Sequence, residues 1–411
     1  MFPFRTKLAL ARGLLARGRH PLYVQFYVTA RCNLTCKQCN IIYANADVGE
    51  ASLPQVEAMA DNLAAIGTGI VLLTGGEPFV RRDLPRIIRA FTSRGLHVRT
   101  QTNGLATLDQ LREAAAAGAR DISISLDSLV PEKQDFLNGS HDRSWMRAIE
   151  AISRVTHAYP PRNSFAAFGT VLSPQNLLEI PNIIRFATRV GWYVSLVPAH
   201  VADPAEPHNF RSYDREMIFP PAMYPLVDET LEECLALKRS GHLLYDSPEF
   251  LDNVRRFIRR EPVTWRRRND DVCDSPGLYF AVRPNGDLQP CCDHVLQESY
   301  PVWHPDFPRW YRETEMRKAV HAITRRCGGC MYGSFPEMTI TARWPLTTLK
   351  RSALFLGGTS ARKPWPMTAA QLVAIIDEIN RAHPVDHARA SALLEAVPRH
   401  ADVTRSLPVL S

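Results

Sequence analysis

The sequence lacks the features that would direct a protein into or across a membrane. No run of 18 apolar residues occurs, so no transmembrane helix is expected. The first 20 residues interleave leucines with arginines and contain neither the uninterrupted apolar stretch nor the small-residue cleavage site of a signal peptide. No internal repeat, low-complexity tract or recognisable nucleic-acid-binding module is present. We therefore expect a cytoplasmic protein with no transmembrane segment and no nucleic acid partner.

Cysteine is scarce, and its distribution is uneven. The chain of 411 residues has nine cysteines, and eight of them fall into two groups. The odd number, the length of the chain and the missing secretion signal argue against a disulfide framework and favour metal ligation in a reducing compartment. The first group comprises Cys32, Cys36 and Cys39, the second comprises Cys273, Cys291, Cys292, Cys327 and Cys330, and Cys234 stands alone.

The composition is that of a globular protein with an excess of positive charge. Hydrophobic residues make up 45% and charged residues 22% of the chain, which is long enough for one large catalytic domain and a smaller one. The formal net charge is +7, and the densest basic stretch covers residues 255–268. Such a stretch is either a solvated face or a binding site for an anionic substrate, for example a phosphorylated or nucleotide-linked molecule.

Short apolar strands alternate with helical segments between residues 22 and 197. The strands are rich in Val, Ile, Leu and Phe, as expected where both faces of a sheet are buried. Six strand–helix units predict an α/β fold with a parallel sheet curled into a partial (β/α)6 TIM-like barrel, whose ligands gather at the carboxyl ends of the strands. The predicted strands are 22–28, 70–74, 97–101, 121–127, 168–172 and 193–197, and the predicted helices are 52–66, 84–94, 108–117, 144–155 and 177–190.

The regions outside this barrel have different patterns. A basic surface helix is predicted in residues 1–21, with contact to a membrane surface as the alternative. Residues 201–272 are predicted to be a connector with a proline-rich loop (Pro204, Pro207, Pro220 and Pro221) and helices at 224–240 and 248–260. Residues 273–335 hold the second cysteine group and a hairpin signal, Asn285-Gly286 between two apolar runs. Residues 336–411 are predicted to be partly helical, at 369–382 and 390–396, without identifiable chemistry.

The first cysteine group follows the first predicted strand, in the stretch Cys32-Asn33-Leu34-Thr35-Cys36-Lys37-Gln38-Cys39. Thiolates are soft ligands that suit iron–sulfur clusters or zinc. Three thiolates are one short of closing a [4Fe–4S] cluster or a zinc tetrahedron, so one metal position would stay open to an external ligand. An iron with a free position can bind and reduce a substrate.

A Cys-x3-Cys-x2-Cys loop after the first strand of a βα barrel resembles the signature of the radical S-adenosylmethionine (SAM) superfamily. The resemblance implies that Cys32, Cys36 and Cys39 hold a [4Fe–4S] cluster whose unique iron binds the amino and carboxylate groups of SAM. It also implies reductive cleavage of SAM to methionine and a 5′-deoxyadenosyl radical that abstracts a hydrogen atom from the substrate, with electrons from a donor such as flavodoxin or ferredoxin. Gln38 departs from the family pattern, because the residue before the third cysteine is often aromatic and stacks near adenine.

The stretch Gly75-Gly76-Glu77-Pro78 after the second strand resembles the family motif that contacts the SAM amino group. Its glycines would let the backbone approach a ligand closely, and Glu77 would balance the positive charge of the amino group.

Polar residues after the third and fourth strands resemble the same family. Asn103 lies in the turn Thr102-Asn103-Gly104, which is similar to the family's polar turn. On the fourth strand Ser123, Ser125 and Asp127 share one face, and Ser125 and Asp127 are candidates for contacts with the ribose or carboxylate of SAM. Each motif alone is typical of an ordinary βα turn. Their order at the ends of successive strands identifies residues 22–200 as a radical SAM core.

The second cysteine group contains a Cys-x2-Cys turn and two distant cysteines. Twelve residues separate Cys273 from Gly286, and four residues separate Gly286 from Cys291. The turn Cys327-Gly328-Gly329-Cys330 follows later in the chain. Such a set suits zinc or a second [4Fe–4S] cluster. The pattern resembles the SPASM/twitch extension of radical SAM enzymes, which implies an auxiliary [4Fe–4S] cluster on Cys273, Cys291, Cys327 and Cys330. The absence of cysteine after Cys330 matches the one-cluster twitch form, and the spacing favours Cys291 over Cys292 as the ligand.

Single residues outside these motifs are candidates for the reaction itself. Cys234, or alternatively Cys292, would donate a hydrogen atom to a substrate radical, although a lone cysteine in a helical stretch is usually a core residue. His200 and His294 are candidate bases near the mouth of the barrel, with a surface or core position as the alternative. Arg283 and the run 266–268 would anchor a carboxylate or phosphate, or else form a solvated face.

The predicted function is that of a radical SAM oxidoreductase or epimerase with a small-molecule substrate. One-cluster twitch enzymes of this family include dehydrogenases and epimerases of aminocyclitols, sugars and nucleotide-derived molecules, whereas full SPASM enzymes more often modify peptides. The absence of cysteines for a further auxiliary cluster and the short segment before Leu22 favour oxidation or epimerisation of a carbohydrate-like or nucleotide-linked molecule. The alternatives are a peptide-modifying maturase and, in another class, a structural zinc-binding protein.

Overall fold

A sheet of eight strands lies at the centre of this computed structural model, which describes residues 4–15, 20–162, 164–203, 209–357 and 363–395. The strands are β1 (Tyr23–Thr29), β2 (Ile70–Gly75), β3 (His97–Thr102), β4 (Asp121–Ser125), β5 (Phe165–Leu172), β6 (Tyr193–Pro198), β7 (Tyr279–Val282) and β8 (Leu288–Gln289). Their order across the sheet is β6-β5-β4-β3-β2-β1-β7-β8. Pro204 and Pro207 of the predicted loop, and the predicted helix end at residue 396, lie outside the described residues.

The first six strands pair in parallel in sequence order, which confirms the predicted α/β fold with a partial barrel. Their apolar residues are buried on both faces, as the sequence pattern predicted. The strand ends differ from the prediction by more than one residue in two places. β5 begins three residues earlier, at Phe165, and β4 ends at Ser125 rather than at Asp127. Asp127 leaves the ladder because its backbone N–H donates to Oε1 of Gln134 (2.8 Å).

Helices follow the barrel strands and cover the sheet. Side-chain caps help to set where helices begin; for example, Ser52 and Thr107 each form a capping box with the glutamine three residues later. No helix among the described residues combines the length and the apolarity needed to cross a membrane. The helices are α1 (Phe4–Leu15), α2 (Ile41–Ala44), α3 (Leu53–Ala65), α4 (Leu84–Thr92), α5 (Leu108–Ala116), α6 (Pro131–Leu137), α7 (Ser144–Ala158), α8 (Ile180–Val190), α9 (Tyr224–Arg239), α10 (Pro248–Ile258), α11 (Phe307–Arg312), α12 (Thr314–Thr324), α13 (Ser334–Arg343), α14 (Pro345–Gly357), α15 (Ala369–Ala382) and α16 (His387–Glu395).

The predicted hairpin around Asn285-Gly286 extends the sheet beyond β1. β7 pairs in parallel with β1, with Tyr279 opposite Tyr23, and β8 returns antiparallel to β7. Gly286 has a φ of 92°, and a Cβ at this position would overlap the indole of Trp303, so the turn requires glycine. The hairpin therefore carries Cys291 and Cys292 to the side of the first barrel strand.

The C-terminal helices contribute to the interior of the barrel, which the sequence did not predict. We expected no identifiable chemistry after residue 335, but Glu337, Met338 and Thr341 of α13 and Arg351 of α14 line the central cavity. Phe335 stacks on Tyr279 of β7 with ring centroids 4.6 Å apart. These positions were not predicted, because they depend on long-range contacts that no local sequence pattern reveals.

Candidate active site

The loop between β1 and α2 carries the first cysteine group, and its thiols are neighbours. The pKa of Cys32 is raised to about 12, mainly by burial, and the Cys39 thiol also raises it. Burial and the thiols of Cys39 and Cys32 raise the pKa of Cys36 well above its usual range. The backbone N–H of Cys39 donates to the carbonyl of Cys36 (3.1 Å), which places both in one turn. Thiols that oppose one another's ionisation would ionise together when a positively charged group binds them.

The chemistry of this donor set fits an iron–sulfur cluster. Within the ranges that the structure describes, no three His, Cys, Asp or Glu side chains are arranged to hold a metal ion. A four-iron cluster has a different requirement, because each thiolate binds its own iron. Three soft thiols on one short loop meet that requirement, and they leave one iron without a protein ligand. Cys32, Cys36 and Cys39 are the residues that would hold the cluster.

The Gly75-Gly76 turn packs against the cysteine loop. The N–H of Gly76 donates to the carbonyl of Thr29 (2.9 Å), and the N–H of Glu77 donates to the carbonyl of Arg31 (2.9 Å). Gly75 has a φ of 139°, and a Cβ at Gly76 would overlap the carbonyl oxygen of Arg31. Both glycines are therefore needed where the β2 turn supports the loop that starts at Arg31. The predicted close approach is made to the chain itself, and an approach to SAM stays a prediction.

Glu77 is fully buried and links the ends of two strands. Its carboxylate accepts bonds from the N–H of Phe79 (3.0 Å), the hydroxyl of Thr102 (3.0 Å) and the N–H of Asn103 (2.7 Å). Burial raises its pKa to about 7 despite these bonds, which favour the ionised form. Pro78 follows and begins the short 3-10 helix Pro78–Val80. Glu77 thus positions the turn after β3, and its predicted contact with the SAM amino group stays a prediction.

Asn103 joins that turn to the cysteine loop. Its side-chain Nδ2 donates to Oδ1 of Asn33 (2.8 Å) and lies 3.5 Å from the sulfur of Cys32. A further donor to the same sulfur is the N–H of Leu34 (3.4 Å). Donors directed at a sulfur stabilise a thiolate, so Asn103 is placed to act on Cys32.

Asp127 lies at the carboxyl end of β4 and is 1% exposed. Its Oδ1 accepts from the N–H of Val171 (2.7 Å), and its Oδ2 accepts from the side-chain amide of Gln38 (2.8 Å). Burial raises the pKa of Asp127 to about 7. Gln38 departs from the family pattern, and here it ties the cysteine loop to the barrel strand. No sequence pattern predicts this bond, because it connects residues that lie far apart in the chain.

A cavity of about 220 Å³ occupies the interior of the barrel. Gln38, Ser125 and Asp127 line the part of the cavity that adjoins the cysteine loop. Further polar residues of its wall carry neutral hydroxyl or amide groups, among them Gln25, Gln101, Ser123 and Ser195. The cavity is thus equipped for hydrogen bonds with an uncharged polar ligand.

Apart from Asp127, the charged residues of the cavity wall have oppositely charged partners within the protein. Arg99 lies 3.5 Å from the carboxylate of Asp121 and over the ring of Phe165 (4.5 Å). Arg351 forms an ion pair with Glu337. These paired ions lie near the start of the strands. Among the neutral groups, the Gln25 amide donates to the Tyr27 hydroxyl (3.2 Å), and the Ser195 hydroxyl donates to Asp246 (3.0 Å).

The second cysteine group is also assembled in space. Burial is the main cause that raises the pKa of Cys330, and the thiols of Cys327 and Cys273 raise it further. Burial likewise raises the pKa of Cys291, and the thiol of Cys330 contributes to this shift. Burial, together with the Cys327 thiol, raises the pKa of Cys273 to about 12. All four predicted auxiliary ligands are therefore neighbours, which is the donor set of a closed site.

Cys291 and Cys292 face opposite directions, which the sequence left ambiguous. The Cys292 thiol lines the central cavity and contacts the side-chain oxygen of Gln25 (3.8 Å). Burial raises its pKa to about 12. Cys234, the predicted hydrogen donor, is fully buried on α9 and is not part of the cavity wall. Of these two candidates, Cys292 is the one that a substrate in the cavity would meet.

The candidate base His200 has a structural position instead. Its Nδ1 lies 2.7 Å from the carbonyl of Pro198, its Nε2 accepts from the N–H of Met331 (3.0 Å), and its ring stacks on Tyr332. Burial lowers the pKa of His200 to about 3, so the ring is neutral. It lies outside the cavity wall, as does the half-buried His294.

The arginines proposed as substrate anchors also lie away from the cavity. Arg266 is buried, and its guanidinium donates to the carbonyls of Cys327 (2.8 Å) and Gly328 (3.0 Å). Arg267 and Arg268 are exposed, and Arg283 is half-buried. Arg266 therefore braces the second cysteine group and does not face the substrate.

Comparison with known proteins relates this site to a family. Residues 26–187 match the family described as the Radical SAM superfamily. An AdoMet-dependent heme synthase of Methanosarcina barkeri is 30% identical over 49% of this chain, and the chain spans 58% of that relative. An enzyme of the same name from Oleidesulfovibrio alaskensis is 29% identical over 76% of this chain and 83% of its own length. A GTP 3′,8-cyclase of Peptoclostridium acidaminophilum is 34% identical over 29% of this chain and 38% of its own length.

Solved structures share the fold at low sequence identity. Streptococcus suis SuiB bound to precursor peptide SuiA superposes with a TM-score of 0.59 at 15% identity, covering 80% of this chain and 77% of SuiB. Native anSMEcpe with bound AdoMet and Cp18Cys peptide gives a TM-score of 0.53 at 14% identity, covering 92% of this chain and 100% of that structure.

Proposed function

The chain contains a radical SAM domain, and from this premise we propose that it abstracts a hydrogen atom from a small polar substrate bound in the central cavity. The observation that carries the proposal is the position of that cavity, which Gln38 of the cysteine loop lines together with Ser125 and Asp127 at the end of β4. Ligands of parallel α/β sheets bind at the carboxyl ends of the strands. A substrate in the cavity would lie beside the loop that holds the radical chemistry.

Cofactors supply the radical, and the residues of the chain supply position and charge. Cys32, Cys36 and Cys39 would hold a [4Fe–4S] cluster, which with SAM bound would supply the radical chemistry. Glu77 holds the turn that places Asn103 against Cys32. Asp127 changes its charge near neutral pH, and Gln38 orients its carboxylate toward the loop. Ser125 is the adjacent neutral group for a contact with SAM or substrate.

The size and polarity of the cavity support a sugar, aminocyclitol or nucleotide-like substrate. Pockets for drug-sized ligands are typically about 300–1,000 Å³, and the cavity here is about 220 Å³. Its neutral polar groups are hydroxyls and amides, which can exchange hydrogen bonds with ligand hydroxyls. A small hydroxylated molecule fits this space better than a peptide segment.

A tetrapyrrole is the second candidate substrate. The observation in its favour is the alignment with the AdoMet-dependent heme synthase of Oleidesulfovibrio alaskensis over 76% of this chain. The small cavity volume opposes it, because a tetrapyrrole would need the cavity to widen. Conversion of a tetrapyrrole into heme by the SAM-supplied, reduced protein would establish this candidate in place of the first.

The reaction type that we propose is oxidation or epimerisation at a C–H bond. In an oxidation, a second [4Fe–4S] cluster on Cys273, Cys291, Cys327 and Cys330 would receive the electron of the substrate radical. In an epimerisation, Cys292 would return a hydrogen atom, because its thiol faces the cavity whereas that of Cys234 does not. The neighbouring positions of the four auxiliary cysteines support the second cluster.

The test begins with anaerobically purified protein, its metal content and its products. We expect about eight irons per chain, as two [4Fe–4S] clusters require, and 5′-deoxyadenosine when SAM and dithionite are added. Cys36→Ala should lose about half of the iron and all of the 5′-deoxyadenosine, whereas Cys234→Ala, the matched control outside both groups, should keep both. Substrate candidates are then ranked by stimulation of 5′-deoxyadenosine formation and by transfer of deuterium from labelled sugars, aminocyclitols and nucleotides. Zinc without iron, or no 5′-deoxyadenosine under any condition, would refute the proposal.

A further inference from the structure

We propose that an acidic one-electron carrier protein docks on the surface around the turn from Cys327 to Cys330. We call this the knuckle surface and define it by Gly328 and the exposed arginines Arg260, Arg267, Arg325 and Arg326. The inference rests on the proposed function in one respect, because it takes the second cysteine group as a cluster site. It adds the place where electrons pass between that cluster and a partner.

The Cys327–Cys330 turn is braced from the inside and open on the outside. Arg266 donates to the carbonyls of Cys327 and Gly328, and the indole N–H of Trp265 donates to the carbonyl of Cys330 (3.0 Å). A Cβ at Gly329 would lie 2.5 Å from the side chain of Val263. A Cβ at Gly328 would meet no atom within 4 Å. The turn therefore presents the Gly328 side of the site to solvent, while the thiols lie beneath it.

Uncompensated positive charge surrounds this opening. Arg325 and Arg326 immediately precede Cys327, and Arg267 follows the bracing residue Arg266. None of the four arginines of the knuckle surface has an acidic partner among the described residues. The arginines of α10 differ, because Arg255, Arg256 and Arg259 form ion pairs with Asp228, Glu232, Asp252 and Glu261. Acidic residues near the knuckle surface include Asp203, Asp270 and Asp271, which are exposed, and Glu261, which pairs with Arg256.

A groove of mixed polarity adjoins the knuckle surface. Phe219, Phe257 and Val263 line it together with Gly328 and Gly329, and its charged lining residues are Asp203, Arg211, Arg215, Arg260 and Glu261. Protein interfaces commonly combine apolar contacts with charged residues that guide association. A basic rim selects a partner of opposite charge and raises the rate of its encounter at low salt.

The partner that this chemistry selects is a small acidic electron carrier such as a flavodoxin or ferredoxin. Each encounter would move one electron between the carrier and the cluster beneath the turn, so that one is reduced as the other is oxidised. No bond is made or broken in this step. The open position at Gly328 allows the carrier to come close to the site.

The test measures binding of a purified flavodoxin to the anaerobically reconstituted protein by calorimetry at low and at moderate salt. We expect Arg325→Glu combined with Arg326→Glu to weaken binding at least tenfold, and Gly328→Glu to act in the same direction. Arg325→Lys combined with Arg326→Lys keeps the charge and should retain most of the affinity. Arg120→Glu is the matched control, because Arg120 is also exposed but precedes β4, at the opposite end of the barrel. It should leave the affinity within a factor of two.

A second readout follows electron transfer. Rapid mixing of reduced flavodoxin with the oxidised protein should show slower flavodoxin oxidation in the glutamate variants, while dithionite reduces all variants equally. Iron content and the electron paramagnetic resonance of each variant test the proposed function separately, because loss of the second cluster is visible without flavodoxin. Equal affinity for flavodoxin in the Arg325→Glu, Arg326→Glu protein and the Arg120→Glu control would overturn the docking proposal. So would failure of the wild type to bind flavodoxin while it binds a short DNA duplex through the same arginines.

Discussion

The side-chain amide of Gln38 donates a 2.8 Å hydrogen bond to the carboxylate of Asp127 and so joins the first cysteine loop to the end of β4. Both residues line the central cavity. The residue before the third cysteine, which we expected to leave adenine packing without its usual aromatic ring, has a defined partner here. The bond makes the position of the loop depend on a group whose pKa is raised to about 7.

Stability should fall between about pH 4 and pH 8 through Asp127. Burial raises the pKa of Asp127 in the folded protein to about 7, whereas an unfolded aspartate titrates near 4. The folded state therefore binds more protons in this window, and its stability decreases as pH rises through the folded pKa. Asp127→Asn should lack this pH dependence. Relative to that of the wild type, the unfolding free energy of the variant should therefore increase from pH 5 to pH 8. Urea titrations at several pH values measure it, and a difference that does not change with pH would contradict the assignment.

Replacement of Glu77 by glutamine should disturb the site although it removes only a charge. In the variant an NH2 group replaces one carboxylate oxygen. This NH2 group would face donors that bond to Glu77 in the wild type, namely the Thr102 hydroxyl and the N–H of either Phe79 or Asn103. Leaving a buried donor without an acceptor costs about 1–3 kcal/mol. We expect Glu77→Gln to be destabilised by this amount and to lose iron from the first cluster on gel filtration. The exposed Glu113→Gln on α5 provides the control for loss of one negative charge, and equal behaviour of the two variants would refute the role of Glu77.

Gly76→Ala should displace the first cysteine loop. The added methyl group would overlap the backbone of Arg31, which cannot move aside as a flexible side chain would. We expect the variant to retain about four of about eight irons, those of the second site, and to form no 5′-deoxyadenosine. Gly49→Ala is the matched control, because a Cβ at Gly49 would meet no atom within 4 Å. Full iron content in Gly76→Ala would show that the turn does not support the loop.

Arg266→Met should weaken the second cysteine group. The variant loses two hydrogen bonds to the carbonyls of Cys327 and Gly328, and bonds from a charged group contribute about 1.5–3 kcal/mol each. It also removes a positive charge that lowers the pKa of Cys273. We expect loss of the second cluster or, if the cluster is retained, a lower reduction potential, since less positive surroundings favour the oxidised form. Arg267→Met removes a neighbouring exposed charge and should change neither property in a redox titration.

The sequence predicted the elements of the barrel because their signals are local. Buried parallel strands are short runs of Val, Ile and Leu, and each predicted strand is present within a few residues. The cysteine groups were found from spacing, which is also local. The structure brings the four predicted auxiliary cysteines together, although the sequence alone could not prove that Cys291 rather than Cys292 faces them.

Relationships that depend on packing over long sequence distances were missed. No periodicity reveals that Gln38 bonds to Asp127, that Arg266 donates to the carbonyl of Cys327, or that α13 lines the cavity. The reassignment of His200 from candidate base to structural residue has the same origin. Its two partners, Pro198 and Met331, become visible only when β6 and the second cysteine group are packed together.

The parallel pairing of β7 with β1 has a consequence for the order of cofactor loading. The three cysteines of the first site lie on one short loop, but the second site needs the hairpin seated against the strand that begins at Tyr23. This pairing forms only after the chain has been synthesised past Tyr279 and the hairpin has docked on β1. We expect the growing chain to become competent for its first cluster well before its second, so a protein starved of iron during synthesis should accumulate in a half-loaded form.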